Sequence, residues 1–167
     1  YKVKPVADYL ESRVIVLFNN DCQISVAAPQ ESMTDYFYKN ADADEVIFIH
    51  EGTGKLKTQY GELPFKYGDY IVIPRGAIYQ IEFETKENRL LITESFGPIQ
   101  PPKRYLSKYG QLMEHAPYCE RDIQKPQFVD AIDEAGEFLI KTKKKGQEYP
   151  IYYAHHPFDV VGWDGQE

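Results

Sequence analysis

Short apolar runs separated by turn-forming residues fill the first half of the chain. These runs lie at residues 13–18, 22–28, 45–50, 54–61, 69–74, 78–84 and 89–95. Between them stand NND at 19–21, GTG at 52–54 and YGD at 67–69, whose residues tolerate positive φ or bond locally to the backbone. Closely spaced strands with such turns are typical of antiparallel sandwiches and barrels. The pattern therefore predicts an all-β fold, either an antiparallel sandwich or a barrel.

Successive side chains of a strand point to opposite faces of its sheet. Val46 and Phe48 are therefore expected to share a face, and Ile71 and Ile73 are likewise expected to share a face.

From residue 97 the alternation gives way to a segment in which prolines recur, and proline is rare inside paired strands. We expect a connecting arm there, in which residues 104–113 form either a short helix or a surface loop. A β-rich pattern then returns. The predicted organisation is a barrel at 1–96, the arm at 97–136, and a hairpin and strand at 137–167 that lead toward a second barrel in a longer polypeptide.

Composition narrows the classes of function. The 167 residues are 43% hydrophobic and carry a net charge of −7, which suits one packed domain and disfavours binding to nucleic acid. The basic run at 141–146 ends in glycine and is interpreted as a hairpin turn. No apolar run reaches the length of a membrane span. Cys22 and Cys119 form no metal-binding or disulfide pattern, so a reducing, cytoplasmic setting is expected.

The segment from residue 44 to 83 resembles the two motifs of the cupin superfamily, which are jelly-roll barrels of two β-sheets. In cupins the first motif carries two histidines one residue apart, then a glutamate and a glycine. The second carries a glycine, a Pro-x-Gly turn and a third histidine. This chain keeps much of that frame, in Glu45, Gly52, Gly68, Pro74 and Gly76. The resemblance implies a cupin-like double-sheet barrel.

The histidines of the cupin motifs are missing. Spacing from Glu45 and Gly76 puts Tyr38, Asn40 and Tyr79 at the three histidine positions. Iron and zinc sites depend on several nitrogen or thiolate donors, so a lone carboxylate would not hold either metal. We expect no metal in this barrel and interpret Glu45 as a buried hydrogen-bonded or a surface carboxylate.

The histidines that are present do not replace them. His155 and His156 are adjacent, so on a strand they point to opposite faces and cannot both bind one ion. His50 and His115 are isolated and are interpreted as structural or surface residues.

Three further segments carry a closer resemblance. QYGELPFKYGDYIVIPRGAIYQIEF at 59–83, PYCERD at 117–122 and HPFDVVGWDG at 156–165 resemble the N-terminal half of the homogentisate 1,2-dioxygenase family, from about residue 41 onward. Members of that family have two cupin barrels. The N-terminal barrel is metal-free, and the C-terminal barrel holds Fe(II) with two histidines and a glutamate. The family cleaves the ring of homogentisate with O2 and yields maleylacetoacetate.

The resemblance implies that Fe(II), O2 and a small aromatic acid are bound outside this chain, in a homo-oligomeric enzyme. In the segment that matches VVGWDG, better-known members have a histidine proposed to contact the substrate hydroxyl. Here that position is Asp164, which is either a proton acceptor for a phenolic substrate or a turn residue. The alternative function is a non-catalytic cupin module that binds a small ligand or a partner subunit, a role that the 14 tyrosines would also suit.

Overall fold

The structure, a computed structural model, describes residues 3–159. Its strands are β1 (Val14–Phe18), β2 (Cys22–Ala27), β3 (Phe37–Asn40), β4 (Asp44–Glu51), β5 (Gly54–Thr58), β6 (Gly61–Phe65), β7 (Tyr70–Ile73), β8 (Ile78–Phe83), β9 (Arg89–Ser95), β10 (Ala135–Lys144) and β11 (Gln147–His155). Two short 3-10 helices, Lys103–Tyr105 and Glu120–Asp122, are the helical elements of the described chain.

These strands form two sheets that pack face to face. One sheet has the order β1-β2-β9-β4-β7 and is antiparallel throughout; the other has the order β11-β10-β3-β8-β5-β6. The all-β, double-sheet jelly roll predicted from the sequence is confirmed, although the sheets stay separate and do not close into a barrel. Within the second sheet β10 runs parallel to β3, which the sequence analysis did not predict.

Alternation along β4 sets the orientation of the first sheet. Glu45, Ile47 and Ile49 point inward and are buried, whereas Val46 and Phe48 share the outer face, as predicted. Ile71 and Ile73 of β7 also share a face, on which both are nearly inaccessible to water. Each fully buried isoleucine contributes about 1.5–3 kcal/mol through removal of apolar surface from water. The core therefore lies between the two sheets.

The basic run at 141–146 contains the turn between β10 and β11, as predicted. Lys145 and Gly146 have φ of 54° and 72°, a left-handed pair that suits a two-residue hairpin turn. Both backbone amides donate to Asp42, at 2.7 and 2.8 Å. Asp42 lies between β3 and β4, so it fastens the turn to the connection between the two sheets.

The Pro-Arg-Gly turn between β7 and β8 is also tied to that connection. The amide of Ala77 donates to the Pro74 carbonyl at 3.1 Å, and the amide of Gly76 donates to the Asn40 carbonyl at 2.8 Å. This second bond holds the start of β8 beside the end of β3.

The segment from 97 to 134 is mostly irregular. Of the two structures expected for residues 104–113, the loop is observed: one 3-10 turn ends at Tyr105, and a single bridge joins Leu106 to Leu112. Further along, Gln127 exchanges two backbone hydrogen bonds with Glu62 of β6, at 2.9 and 2.6 Å, so the arm lies against the edge of the second sheet. The division into units at 1–96, 97–136 and 137–167 stays a prediction.

No helix in the described part of the chain has the length and apolarity that a bilayer crossing demands.

Candidate functional site

Three side chains at the cupin ligand positions meet between the two sheets. Tyr38 of β3 and Tyr79 of β8 are directly paired across their strands, so both rings point to the same face, with centroids 5.5 Å apart in an edge-to-face contact. Glu45 faces them from the other sheet and accepts a hydrogen bond from the Tyr79 hydroxyl, 2.7 Å from Oε2. Tyr38, Tyr79 and Glu45 are all essentially inaccessible to water. The ligand positions therefore converge, but they carry phenols in place of imidazoles.

Asn40, at the remaining histidine position, has a different role. Its Oδ1 accepts hydrogen bonds from the amides of Asp42 and Ala43, at 3.0 and 3.1 Å. Such a bond to the backbone two residues on is typical of an Asx turn. Asn40 therefore turns the chain from β3 into β4.

An arginine supplies the positive charge at the centre of the site. The Arg13 side chain, immediately before β1, is 9% exposed, and its Nη1 donates to Glu45 Oε1 at 3.0 Å. Its Nη2 donates to Glu94 Oε1. Glu94 lies on β9 directly opposite Glu45 on β4, so the two carboxylates stand side by side and share one guanidinium.

Lys143 completes the charge balance. Its Nζ lies 2.5 Å from Glu94 Oε2, and β10 brings it there from the second sheet. Arg13 and Lys143 thus face Glu45 and Glu94, two cations against two anions. Because buried charges are tolerated only when they are paired and hydrogen-bonded, each member depends on the others.

The neighbouring tyrosines are held in their neutral form. Burial, together with the negative charge of Glu45, raises the pKa of Tyr38 and of Tyr79 well above the ordinary value. Burial raises the pKa of Tyr9 in the same way, and its ring packs edge-on against Tyr79 with centroids 6.3 Å apart. Burial opposes the charge on Arg13, yet the surrounding tyrosines and carboxylates raise its pKa overall. Neutral phenols and a charged guanidinium are therefore the stable forms.

These residues do not fit a transition metal. Iron and zinc sites in proteins use imidazole or thiolate together with carboxylate. Here the imidazoles are absent, deprotonation of the phenols to better ligands is disfavoured, and a guanidinium already binds the one retained carboxylate. The sequence left two alternatives for Glu45, a buried hydrogen-bonded carboxylate or a surface carboxylate. The structure shows the buried one.

Sequence reasoning missed Arg13, Glu94 and Lys143. A signal for Glu94 was available, because Leu90, Ile92 and Glu94 alternate along β9 and all three are buried. A carboxylate in register with two core residues requires a buried cation as its partner. The sequence offered no means to choose which of its basic residues fills that role.

The other expected site residues do not join this cluster. His50 and His115 are exposed, His155 is exposed at the end of β11, and His156 is half-buried. Cys22 and Cys119 are free thiols. Asp164 lies outside the described residues.

Two small cavities adjoin the site and the arm. One, of about 180 Å³, is lined by Arg13, Tyr38, Glu94 and Lys143 among others. The second, of about 140 Å³, lies between the second sheet and the arm, beside Gln80 and His156. Small-molecule sites usually have volumes of about 300–1,000 Å³, so both cavities are smaller than usual.

Comparison with known proteins assigns the chain to a family. Residues 13–167 match the family described as homogentisate 1,2-dioxygenase N-terminal. The chain belongs to that family. A candidate dioxygenase of Saccharolobus solfataricus is 38% identical to it over 164 residues, which are 98% of this chain and 42% of that protein. The chain thus spans less than half the length of this relative, and it is a dioxygenase-related module.

Solved structures match about half of the chain. A cupin-2 domain protein of Shewanella frigidimarina matches 50% of this chain and 78% of its own, with 23% identity and a TM-score of 0.43. KdgF of a Halomonas species matches 52% of this chain and 80% of its own, with 13% identity and a TM-score of 0.46.

Proposed function

We propose that this chain is the metal-free half of a cytoplasmic, non-haem Fe(II)-dependent dioxygenase that cleaves the ring of homogentisate or a related hydroxyphenyl acid. In this proposal iron, O2 and the aromatic acid bind to another part of a longer, homo-oligomeric protein. The chain itself serves as a scaffold and interface. The family match and the dioxygenase relative support this reaction class.

One observation carries the proposal. The place where a cupin holds its metal contains the Arg13 guanidinium, bound to Glu45 and Glu94. Ring cleavage at iron requires open coordination positions for a bidentate substrate and O2. An interior in which the Arg13 guanidinium binds both carboxylates offers none. This supports a proposal in which ring cleavage takes place in another part of the protein.

The outer strands support an interface role. All five residues of β1, Val14–Phe18, are exposed although all are apolar. Every residue of β11 is exposed as well, including Tyr149, Ile151 and Tyr152. Exposed apolar side chains on edge strands of this kind suit contact with another protein surface.

A second candidate function is a non-catalytic module that binds a small ligand. The cavity of about 180 Å³ beside Arg13 and Lys143 favours it, because it offers two cationic side chains to an anionic group. Its size and the presence of Glu94 in its lining count against a ligand as large as an aromatic acid.

Oxygen uptake by the full-length protein tests the proposal. We expect uptake with homogentisate that depends on added Fe(II) and is abolished by a chelator. 4-Hydroxyphenylacetate, which lacks the second ring hydroxyl, is the comparison substrate, and uptake with it alone would make a related hydroxyphenyl acid the substrate. Absence of uptake with every hydroxyphenyl acid would favour the binding-module function.

A further inference from the structure

A second cluster of potential ligands lies at the open end of the β10–β11 hairpin. Asp133 precedes β10 by two residues, His155 ends β11, and Asp159 follows in the next turn. Each offers one ligand atom, and these atoms lie within 4.8 Å of one another. We propose that Asp133, His155 and Asp159 bind a first-row divalent cation, with Zn²⁺ the best match to the donor set.

The backbone holds these three residues together from both sides. The amide of Ile132 donates to the Phe158 carbonyl at 3.1 Å, and the amide of His156 donates to the Glu134 carbonyl at 2.9 Å. These two bonds are made by the residues on either side of Asp133. They hold Asp133 next to the segment that contains His155 and Asp159. The amide of Asp159 donates to the His156 carbonyl at 3.0 Å and closes the turn.

Packing beneath the turn fixes it further. The His156 ring contacts the rings of Phe37, Phe138 and Phe158 edge-on, with centroids 5.0–5.3 Å apart. Its Nδ1 accepts a hydrogen bond from the Phe158 amide at 3.1 Å. His156 therefore anchors the turn from the inside, and the adjacent His155 points outward, where it is exposed. The site receives one imidazole.

The donor set selects the cation. Ca²⁺ and Mg²⁺ prefer sites made of oxygen ligands alone, whereas a nitrogen donor shifts preference toward Zn²⁺ and its first-row neighbours. In a tetrahedral zinc site with bonds of about 2.1 Å, ligand atoms are roughly 3.4 Å apart. Asp133 and His155 are exposed, so small rotations of their side chains can bring the ligand atoms to that spacing. Water would take the fourth position.

A cation at this position would join the end of the arm to the turn after β11. An ion that binds only the folded state stabilises that state. It would therefore suppress local opening of residues 132–134 and 155–159. This site is independent of the proposed dioxygenase activity. It requires no iron and no substrate.

The test is a Zn²⁺ titration of the full-length protein by calorimetry, in parallel with His155→Gln and Asp133→Asn. We expect each variant to bind one equivalent fewer than the unmodified protein. Any Zn²⁺ taken up at an iron site elsewhere contributes equally to all three and cancels in the comparison. His50→Gln, which removes another exposed histidine, is the matched control and should keep the full stoichiometry.

Hydrogen exchange gives a second readout. Zn²⁺ should slow exchange at residues 132–134 in the unmodified protein and leave it unchanged in His155→Gln. Equal Zn²⁺ stoichiometry in all proteins, or loss of the same equivalent in His50→Gln, would mean adventitious binding and would overturn the proposal. Oxygen uptake should be the same in His155→Gln and the unmodified protein, so failure of this site is distinguishable from failure of the dioxygenase assignment.

Discussion

The hydroxyl of Tyr79 lies 2.7 Å from Glu45 Oε2 and joins the two sheets through a hydrogen bond in the centre of the core. In a metal-binding cupin both positions would carry ligands to one ion. Here the residues at these two positions are joined directly by a hydrogen bond. Arg13 completes the arrangement from the opposite oxygen of Glu45.

Replacement of Tyr79 by phenylalanine removes the hydroxyl that donates to Glu45. The buried Oε2 of Glu45 then lacks this hydrogen bond. The expected loss is about 1–3 kcal/mol in the free energy of unfolding, measured by urea denaturation. Tyr38→Phe is the matched control, because Tyr38 is equally buried but makes no hydrogen bond to another described residue through its hydroxyl. Equal losses in the two variants would mean that removal of a buried hydroxyl accounts for the whole effect and that the bond to Glu45 adds nothing.

Replacement of Arg13 by methionine leaves Glu45 without its cation and Glu94 with Lys143 alone. Loss of one partner of a buried ion pair costs about 3–5 kcal/mol at neutral pH. Urea denaturation at pH 7 measures this loss.

The control for Arg13 is Arg89→Met. Arg89 pairs with Glu51 at 3.1 Å on the surface, where both side chains are nearly half exposed. Exposed pairs contribute about 0–1 kcal/mol, so this variant should remain close to the unmodified protein. A similar cost for Arg89 and Arg13 would contradict a special role of the buried cation.

Alkaline pH should destabilise the fold through its buried tyrosines. The pKa values of Tyr9, Tyr38 and Tyr79 are raised in the folded state by burial, so the unfolded chain loses these protons first. Their contribution to stability is complete below the unfolded tyrosine pKa of about 10 and is lost as the pH rises through the folded values. Unfolding followed by tyrosinate absorbance should begin above about pH 10. Tyr38→Phe should weaken this dependence, whereas Tyr109→Phe, at an exposed position, should not.

Asp164 is a proposed contributor to catalysis that lies outside the described residues. If it accepts a proton from the substrate hydroxyl, Asp164→Asn should lower kcat of the full-length enzyme by about 10²–10⁴-fold with little change in stability. Asp130→Asn is a suitable control, since Asp130 is an exposed residue of the arm. Unchanged turnover in Asp164→Asn would make Asp164 a turn residue.

Much of the fold was accessible from the sequence because it depends on local patterns. Alternation predicted the shared faces of Val46 with Phe48 and of Ile71 with Ile73, and the basic run at 141–146 with its glycine predicted the last hairpin turn. The parallel pairing of β10 with β3 was not accessible in this way. It joins segments far apart in the chain, and no local signal encodes which strands become neighbours.

The same distinction between local patterns and long-range contacts applies to the candidate site. Glu45, Tyr38 and Tyr79 were found because they belong to motifs of fixed spacing. Arg13 and Lys143 were not, because a buried cation is selected by three-dimensional proximity to Glu45 and Glu94 and not by position in a motif. The absence of histidines predicts no metal in this barrel, and the structure identified the Arg13 guanidinium that binds Glu45.

Iron content of the full-length protein tests the central claim most directly, measured for the unmodified protein and for Glu45→Gln, with folding of both checked by circular dichroism. The account predicts the same iron content per polypeptide in both, because Glu45 binds Arg13 and Tyr79 and not a metal. Loss of iron in a folded Glu45→Gln variant would contradict it, since Glu45 would then be a metal ligand.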